Sequence, residues 1–328
     1  MNTMSKLVVI IPALNEDKTI GSVIAAIPRA IAGITEIATI VIDDGSNDRT
    51  REVSETAGAM VVRHHDNFGV GAAFRTGLAA ALAAGADIIV NIDADGQFNP
   101  ADIATLIAPI QNEVVHFVTA TRFAKKEWIP KMPGIKMWGN AWMTRIINFL
   151  TGKNFTDVSC GFRAYSREAA MRLSLFGNFT YTQETFIDLA KKNIAMMEVP
   201  LKIRGEREHG RSRVADNLWR YGLKSASIIF RAARDYQPQL FIGVPGLVIF
   251  TTGLGSGIFL LNHFLQTGQT FPYRSLVQVS GVLIIVGFLM LFLSMLADML
   301  HRNRIVAEEA VYLARKAAYA PTANHSRS

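Results

Sequence analysis

The chain contains a single cysteine, Cys160, among its 328 residues. A disulfide within the chain is therefore excluded, and the composition is typical of a reducing compartment. Residues 1–6 form no apolar segment and lead directly into a predicted strand, so we expect no signal peptide. The net charge is +7, which could suggest a nucleic-acid partner. The sequence lacks the interleaved aromatic and basic residues that line nucleic-acid grooves, so nucleic acid is not an expected partner.

Two long apolar stretches raise the mean hydropathy to +0.22. Residues 240–261 and 276–296 carry no charge, and each is about 20 residues long, enough to span a bilayer as a helix. A buried hairpin in a soluble core is the alternative, which two stretches of full spanning length disfavour. The loop between them carries only Arg274, whereas both flanking segments are basic, so we expect a multi-pass protein of the inner or plasma membrane with a cytoplasmic amino-terminal domain.

The segment just before the first apolar stretch has its own pattern. Within residues 215–235, Arg220, Lys224 and Arg231 fall on one helical stripe beside apolar surface, which predicts an interfacial helix along anionic lipid. An ordinary amphipathic surface helix is the alternative. Inside the first apolar stretch, Gly253 and Gly257 have the small-xxx-small spacing of helix contacts. Such a contact could form between subunits, making a homo-oligomer possible, or within the hairpin.

The amino-terminal 214 residues alternate short strands with helices. This order predicts parallel βαβ units and an α/β domain with a mostly parallel, Rossmann-like sheet. The predicted strands are residues 7–11, 37–42, 60–63, 88–92, 115–120 and 195–199. The predicted helices are residues 18–30, 48–57 and 71–84.

Two carboxylates, Asp93 and Asp95, follow the apolar run of residues 88–92. Open α/β sheets bind ligands at the carboxyl ends of their strands. Carboxylates favour hard cations such as Mg²⁺ or Mn²⁺, which commonly share a site with substrate phosphates. The pattern therefore predicts a metal–diphosphate site, with an ordinary Asp-Gly turn as the alternative.

Two other strands also end in polar residues. The first is followed by Asn15 and Glu16, and the second ends in Asp43 and Asp44. Because unpaired buried carboxylates are costly, packing is a poor explanation, whereas such acids can accept hydrogen bonds from a nucleotide. The segment 67–72 contains a Gly-x-Gly, ending at Gly71, that allows close backbone approach to a ligand. It does not follow the first strand and has no third glycine, so it does not match a dinucleotide-binding fingerprint.

Five segments, taken in order, resemble an inverting family 2 glycosyltransferase of GT-A fold. They are Pro12–Glu16, Asp43–Ser46, Asp93–Gln97, Asp157–Arg163 and Arg207–Arg213. The last two are similar to the polyprenyl-phosphate branch, which includes dolichol-phosphate mannosyltransferases and undecaprenyl-phosphate sugar transferases. The similarity extends over about residues 6–316. The resemblance implies a GT-A domain followed by a two-helix transmembrane anchor.

The resemblance also implies roles for individual residues. The metal ligands, for Mg²⁺ or Mn²⁺, would be Asp93, Asp95 and Gln97. The nucleotide-binding edge would comprise Pro12, Asn15, Glu16, Asp43, Asp44, Gly71, Asp93 and Ala94. The catalytic set would comprise Asp95, Arg122, Asp157, Arg163, Arg207 and Arg213, the last three as basic groups near the sugar and acceptor phosphates.

Some of these residues have plain alternatives. Arg213 stands where the family commonly has Lys, which keeps the charge but changes the geometry. Arg122 could form an ordinary salt bridge, and Asp157 could either position the acceptor or pair with Arg163. Glu184 is either a base for a sugar-hydroxyl acceptor or a surface charge. His64 and His65 lack ligand spacing and are expected at the surface.

The sequence thus predicts transfer of a sugar from a GDP- or UDP-linked donor to a polyprenyl phosphate at the cytoplasmic face of the bilayer. The predicted organisation is a catalytic domain at 1–214, an interfacial helix at 215–235, the two spans within 236–300 and a cytoplasmic tail at 301–328. Another acceptor is one alternative, and a non-catalytic nucleotide-sugar sensor is a second. A processive polysaccharide synthase is disfavoured because its Gln-x-x-Arg-Trp signature and additional membrane helices are missing.

Overall fold

The computed structural model describes residues 5–129, 134–175, 181–204 and 239–320. These residues form two compact units. The first unit comprises residues 5–204 together with 311–320, and the second comprises residues 239–310.

A seven-stranded sheet forms the centre of the first unit. Its strands are β1 (Ser5–Ala13), β2 (Ile34–Asp43), β3 (Met60–Arg63), β4 (Ile88–Asn91), β5 (Phe117–Thr121), β6 (Arg163–Ser166) and β7 (Met196–Pro200). The spatial order is β3-β2-β1-β4-β6-β5-β7. Strand β6 runs antiparallel to β4 and β5, whereas the remaining pairs are parallel. The predicted mostly parallel α/β sheet is therefore confirmed.

Helices cover both faces of this sheet. They are α1 (Ile20–Ala25), α2 (Thr50–Thr56), α3 (Val70–Ala83), α4 (Ile103–Gln111), α5 (Gly134–Thr151), α6 (Arg167–Arg172) and α7 (Tyr181–Lys191). Side chains alternate between the two faces of a strand. In β1, Leu7 and Val9 face a core shared with α1 and α4, whereas Ile10 lies against Gly77 of α3. Burial on both faces explains why β1 and β4 are apolar runs without alternation.

The strands predicted from the sequence are present, with boundaries that differ by a few residues. Strand β6 was not predicted, because it has only four residues and begins with a charged one, Arg163. The predicted helix at 18–30 is shorter than expected and covers only Ile20–Ala25. Helix α5 was not predicted either. The apolar residues of α5 lie on both of its faces, which weakens the periodic signal of an amphipathic helix.

The second unit is a helical hairpin of α8 (Val244–Thr267) and the beginning of α9 (Arg274–Ala318). Both helices are long and apolar enough to cross a membrane, by length and composition. Glycines mark their contact: a Cβ atom added at Gly253 would come within 2.8 Å of the Ile284 backbone nitrogen, and one at Gly246 within 2.8 Å of the Met290 Cβ. Gly253 therefore packs within the hairpin, which is one of the two alternatives that its spacing left open.

The last turns of α9 belong to the first unit and pack against α6. The hydroxyl of Tyr312 donates to the Glu168 carboxylate, with both oxygens at 3.0 Å, and Arg172 lies 4.1 Å from the Tyr312 ring centroid. Arg315 donates to the Met171 and Leu173 carbonyls at 3.0 and 2.6 Å. The segment predicted as a tail from residue 301 is thus helical as far as Ala318, and its end is part of the catalytic-domain unit.

Candidate functional site

The carboxyl ends of β1, β2 and β4 meet at one edge of the sheet. Strand β1 lies between the other two, with Ala13 opposite Asp43 and Ile10 opposite Asn91. Since all three strands run parallel, the polar residues that follow them converge, as the sequence predicted. Pro12 is half-buried in β1 and Ala94 is buried beyond β4, so both lie along this edge.

The turns after β1 and β2 are interlocked by hydrogen bonds. The Asn15 backbone N–H donates to Ser46 Oγ at 2.9 Å, and the Asn47 N–H donates to Asn15 Oδ1 at 2.9 Å. The Glu16 N–H donates to Thr50 Oγ1 at 2.8 Å. Asn15 has a φ of 54°, a left-handed conformation that asparagine tolerates better than most residues. These bonds hold the two strand ends as one rigid corner.

Asp43 is fully buried at this corner. Its Oδ1 accepts a hydrogen bond from the Ser46 N–H at 2.8 Å. Its Oδ2 has no hydrogen-bond partner, although Arg63 Nε forms an ion pair with it at 3.4 Å. An acceptor left unpaired away from water is costly, and a base N–H or a ribose hydroxyl would satisfy it.

Asp44 holds the segment that leads into α3. Its carboxylate accepts from the Gly69 and Phe68 N–H groups at 2.8 and 3.1 Å and contacts His64 Nδ1 at 2.7 Å. The His64 side chain is only 12% exposed, so its expected surface position was wrong; that of His65, at 79%, was right. The histidine side chain is largely covered because it links Asp44 to Thr76, an interaction that local spacing cannot reveal.

Glycines allow the close approach of these segments. Gly45 has a φ of 78°, and a Cβ atom there would come within 2.8 Å of the Asp66 backbone carbon. Any side chain would therefore push the β2 turn away from the segment beyond β3. Gly71, the second residue of α3, is buried behind this segment. The predicted backbone approach to a ligand at Gly71 remains a prediction.

The turn after β4 carries the predicted metal ligands. Asp95 is 4% exposed and accepts from the Gln97 N–H at 3.1 Å, whereas Asp93 is half-buried. The Gln97 carbonyl accepts from the Arg204 N–H at 3.1 Å, which brings the chain beyond β7 back to this turn.

Among the described residues, no group of three or more His, Cys, Asp or Glu side chains is placed to hold a metal ion. The oxygen donors here are the two carboxylates of Asp93 and Asp95 and the side-chain amide of Gln97. This set fits Mg²⁺ or Mn²⁺, which are commonly bound by one or two carboxylates together with substrate phosphates. It does not form a cage made of protein ligands alone.

A buried ion pair lies beside the turn after β4. Arg122, just after β5, binds Asp157 in a bidentate manner, with Nε and Nη2 at 2.6 and 2.9 Å from its two oxygens. Burial lowers the pKa of Arg122. Its hydrogen bonds to Asp157 and the nearby acidic charge raise the pKa by a larger amount, so the net shift is upward. The salt-bridge alternative for Arg122 is therefore confirmed. The partner of Asp157 is Arg122 and not Arg163, the partner in one of its two alternatives, because the strand ends β5 and β6 direct these arginines to different groups. A role of Asp157 in positioning the acceptor remains a prediction.

Arg163 is fully buried under the same loop. Its guanidinium donates to the carbonyls of Cys160, Thr182 and Val158 at 2.7, 2.8 and 3.1 Å, and it lies 4.8 Å from the Phe186 ring centroid. With three carbonyl partners and no exposed surface, the side chain is placed to hold the loop. This environment does not agree with the predicted contact between Arg163 and a phosphate.

The structure adds site residues that the motifs did not indicate. Asn91 of β4 donates to the Gly161 carbonyl at 2.7 Å and to the Tyr181 hydroxyl at 3.1 Å. Burial and the charge of Asp93 raise the pKa of Tyr181 well above its ordinary value. A Cβ atom at Gly161 would come within 2.7 Å of Asp93 Oδ2. The one available signal was Asn91 itself, a polar residue inside an apolar strand.

Glu198 of β7 supports the loop from the other side. Its carboxylate accepts from the Asp157 N–H at 2.9 Å and from the Thr156 N–H at 2.8 Å.

Glu184 is half-buried in the first turn of α7. Arg207 and Arg213 lie outside the described residues, as does the predicted helix at 215–235.

The comparisons with known proteins agree with this architecture. The family model described as glycosyl transferase family 2 matches residues 8–174. The chain is 35% identical over 213 residues to the UDP-N-acetylglucosamine–dolichyl-phosphate N-acetylglucosaminyltransferase of Methanococcus voltae, covering 59% of this chain and 83% of that protein. It is 28% identical over 309 residues to the glycosyltransferase AglJ of Haloferax volcanii, covering 93% and 98%.

A solved structure shares the fold. It is glucosyl-3-phosphoglycerate synthase from Mycobacterium tuberculosis in complex with Mn²⁺, UDP-glucose and phosphoglyceric acid, with a TM-score of 0.53 and 25% identity over 70% of this chain and 79% of that one. The family resemblance predicted from the five motifs is thus confirmed. The chain is a glycosyltransferase and belongs to glycosyl transferase family 2.

Proposed function

We propose that this enzyme transfers one sugar, with inversion, from a nucleoside diphosphate sugar to a polyprenyl phosphate at the cytoplasmic face of a membrane. The observation that carries the proposal is the presence, in one chain, of the acidic strand-end edge and of two helices long enough to span a bilayer. The Methanococcus voltae relative supports it, because its name states a nucleotide-sugar donor and a dolichyl-phosphate acceptor.

The donor nucleotide would occupy the corner formed by the ends of β1 and β2. The buried Oδ2 of Asp43 lacks a hydrogen-bond donor, and the rigid turns at Asn15 and Ser46 leave the edge preorganised. Preorganised acceptors bind a ligand without the cost of ordering flexible groups. The donor would be a uridine diphosphate sugar, which is supported by two similar proteins whose names state one.

The diphosphate would lie over the turn after β4. Asp93, Asp95 and Gln97 would hold a divalent cation there, as the Mn²⁺ in the Mycobacterium tuberculosis enzyme supports. A bound cation neutralises negative charge on a departing nucleoside diphosphate. The protein's part is to fix the carboxylates: the Gln97 N–H holds Asp95, and Gly161 lies against Asp93.

The acceptor phosphate would need little help from a base. A phosphate monoester with a second pKa of about 6 is largely dianionic at neutral pH. It needs a positively charged binding site, here called the cationic seat, and alignment with the anomeric carbon. Arg207, Arg211 and Arg213 would supply the cations, and they follow closely in sequence after Arg204, whose backbone N–H donates to the Gln97 carbonyl. Arg122 and Asp157 would position the loop beside that seat.

The end of α9 supports the proposed membrane orientation. Residues 311–320 pack on α6 within the catalytic unit, which supports placing the carboxyl-terminal end of α9 on the same side of the membrane as the catalytic domain. An even number of spans, here α8 and α9, meets this requirement. The basic residues that flank the spans support a cytoplasmic location for that side.

The test is an assay of the purified full-length chain in detergent with Mn²⁺ or Mg²⁺ and undecaprenyl phosphate. Labelled UDP-glucose, UDP-N-acetylglucosamine, UDP-galactose and GDP-mannose are supplied separately. We expect label from one of them in the organic phase, and none with EDTA or with Asp95→Ala. Nucleotide release without labelled lipid would overturn the polyprenyl acceptor, and metal-dependent binding without turnover would establish a sensor instead.

A further inference from the structure

Helix α5 exposes an aromatic stripe that the proposed function leaves without a role. Trp138, Trp142 and Phe149 are 68%, 43% and 76% exposed, and Arg145 is exposed between them. Their spacing of four, three and four residues places all four on one face of the helix. The two indole rings stack, with centroids 6.4 Å apart, so they form one continuous surface.

The opposite face of α5 holds the site. Met143 and Ile147 are buried against α7. Asn140 Oδ1 accepts from Ser159 Oγ at 2.5 Å, and Asn148 exchanges two hydrogen bonds with the Phe155 backbone, both at 2.9 Å. The loop that these asparagines hold carries Asp157. The helix therefore lies between an exposed aromatic surface and one wall of the active site.

The sequence that contains the stripe carries charge mainly of one sign. Residues 125–153 include six basic residues and one acid, Glu127. The basic residues are Lys125, Lys126, Lys131, Lys136, Arg145 and Lys153. Tryptophan rings favour the boundary between headgroups and acyl chains, and an arginine beside them can extend its guanidinium to the phosphates. A second copy of the chain is a poorer occupant, because a two-fold contact would bring the basic segments of both copies together.

We infer that the Trp138–Phe149 face of α5 lies in the headgroup boundary of an anionic bilayer and anchors the acceptor side of the active site to the membrane surface. The inference rests on the proposed membrane location of the enzyme, and is independent of which sugar is transferred. The lipid contact holds the loop of Asp157 near the leaflet in which a polyprenyl phosphate resides.

The experiment is tryptophan quenching in the full-length protein. Three proteins are made that each contain one tryptophan. In the first, Trp142 is kept and the other three of the four native tryptophans are replaced with phenylalanine. In the second and third, all four are replaced, and Phe259→Trp in α8 or Met60→Trp in β3 is introduced, both at exposed positions. Each is reconstituted into nanodiscs of phosphatidylcholine and phosphatidylglycerol with or without bromine on the acyl chains.

We expect brominated lipid to reduce the emission of Trp142 about twofold or more, as it would for a ring at the acyl boundary. The tryptophan at position 259 should be quenched at least as strongly, and that at position 60 should be unaffected. Quenching at position 259 but not at Trp142 would overturn the inference while leaving the membrane anchor intact. No quenching at position 259 would overturn the membrane location, and with it both proposals.

A second measurement separates lipid contact from self-association. Trp138→Cys in the Cys160→Ser background places one thiol on the stripe. We expect no disulfide-linked dimer in anionic nanodiscs or in native membranes, because the thiol faces lipid. Efficient cross-linking would instead identify the stripe as an interface between copies and overturn the inference. Sugar transfer is not needed for either readout.

Discussion

The two sides of the active-site edge are built by different means. One side, here the strand-end side, comprises the residues that follow β1, β2 and β4, and its polar groups come from contiguous motifs fixed by short turns. The other, the ion-pair side, comprises Arg122 and residues 155–163, and its charges are paired with groups distant in the chain. On the first side, at the end of β2, the buried Oδ2 of Asp43 has no hydrogen-bond donor. The second uses its charges to hold a loop.

This difference means that similar substitutions should have different consequences. On the strand-end side, a conservative change should reduce activity and leave stability nearly unchanged. On the ion-pair side, a change should first destabilise the fold, because a buried charge loses its partner. Each of the following substitutions tests one part of that contrast.

The largest effect on activity is expected for Asp95→Asn. The amide keeps the shape of the side chain and can still accept from the Gln97 N–H, but it loses the charge that a divalent cation requires. Turnover should fall by on the order of a thousandfold, since the cation contributes several kcal/mol to catalysis. The measurement is the initial rate of glycolipid formation at saturating Mn²⁺. The thermal unfolding midpoint serves as the control and should stay near the wild-type value; a rate within tenfold of wild type would contradict the metal assignment.

The largest effect on stability is expected for Arg122→Met. The substitution leaves the Asp157 carboxylate buried without its bidentate partner, which costs about 3–5 kcal/mol. The unfolding midpoint of the full-length protein should fall by roughly 10 °C. In the matched double variant, Arg122→Met with Asp157→Asn, most of the loss should be recovered because no charge is stranded. If the single and double variants unfold at the same temperature, the ion pair does not stabilise this loop.

Gly161→Ala tests the contact between the two sides, because Gly161 belongs to the ion-pair side but lies against Asp93 of the strand-end side. The added methyl group would come within 2.7 Å of Asp93 Oδ2, so the carboxylate must move. A displacement of about 1 Å at a reacting centre can reduce the rate by about a hundredfold. We expect kcat to fall by about that factor, with a higher Mn²⁺ concentration needed for half-maximal rate. Gly139→Ala in α5, where an added Cβ atom would meet nothing within 4 Å, is the control for a glycine substitution away from Asp93 and should retain kcat.

The same contrast explains what the sequence could predict. The strand-end side was predictable because each motif is contiguous and follows an apolar run, so the strand and its ligands are read together. The partner of Asp157 was not, since Arg122 and Asp157 are brought together by β6, a four-residue strand inserted antiparallel between β4 and β5. Arg163 was assigned to a phosphate from its motif, whereas its burial depends on three carbonyls and the aromatic rings around it.

The smallest effect is expected for His64→Ala, which removes a partner of Asp44 on the strand-end side. His64 is one of three groups bonded to Asp44, and the N–H groups of Phe68 and Gly69 remain after its removal. The loss of one hydrogen bond costs about 1 kcal/mol, so the unfolding midpoint should fall by only about 3 °C. If Asp44 contributes to nucleotide binding, the looser segment should raise the Kd for the nucleotide by a few-fold, measured by calorimetry with metal present. His65→Ala is the matched control, because the His65 side chain is 79% exposed, and it should leave both quantities unchanged. A loss of stability as large as that of Arg122→Met would show that both sides of the edge depend equally on buried pairs, and the contrast between them would not hold.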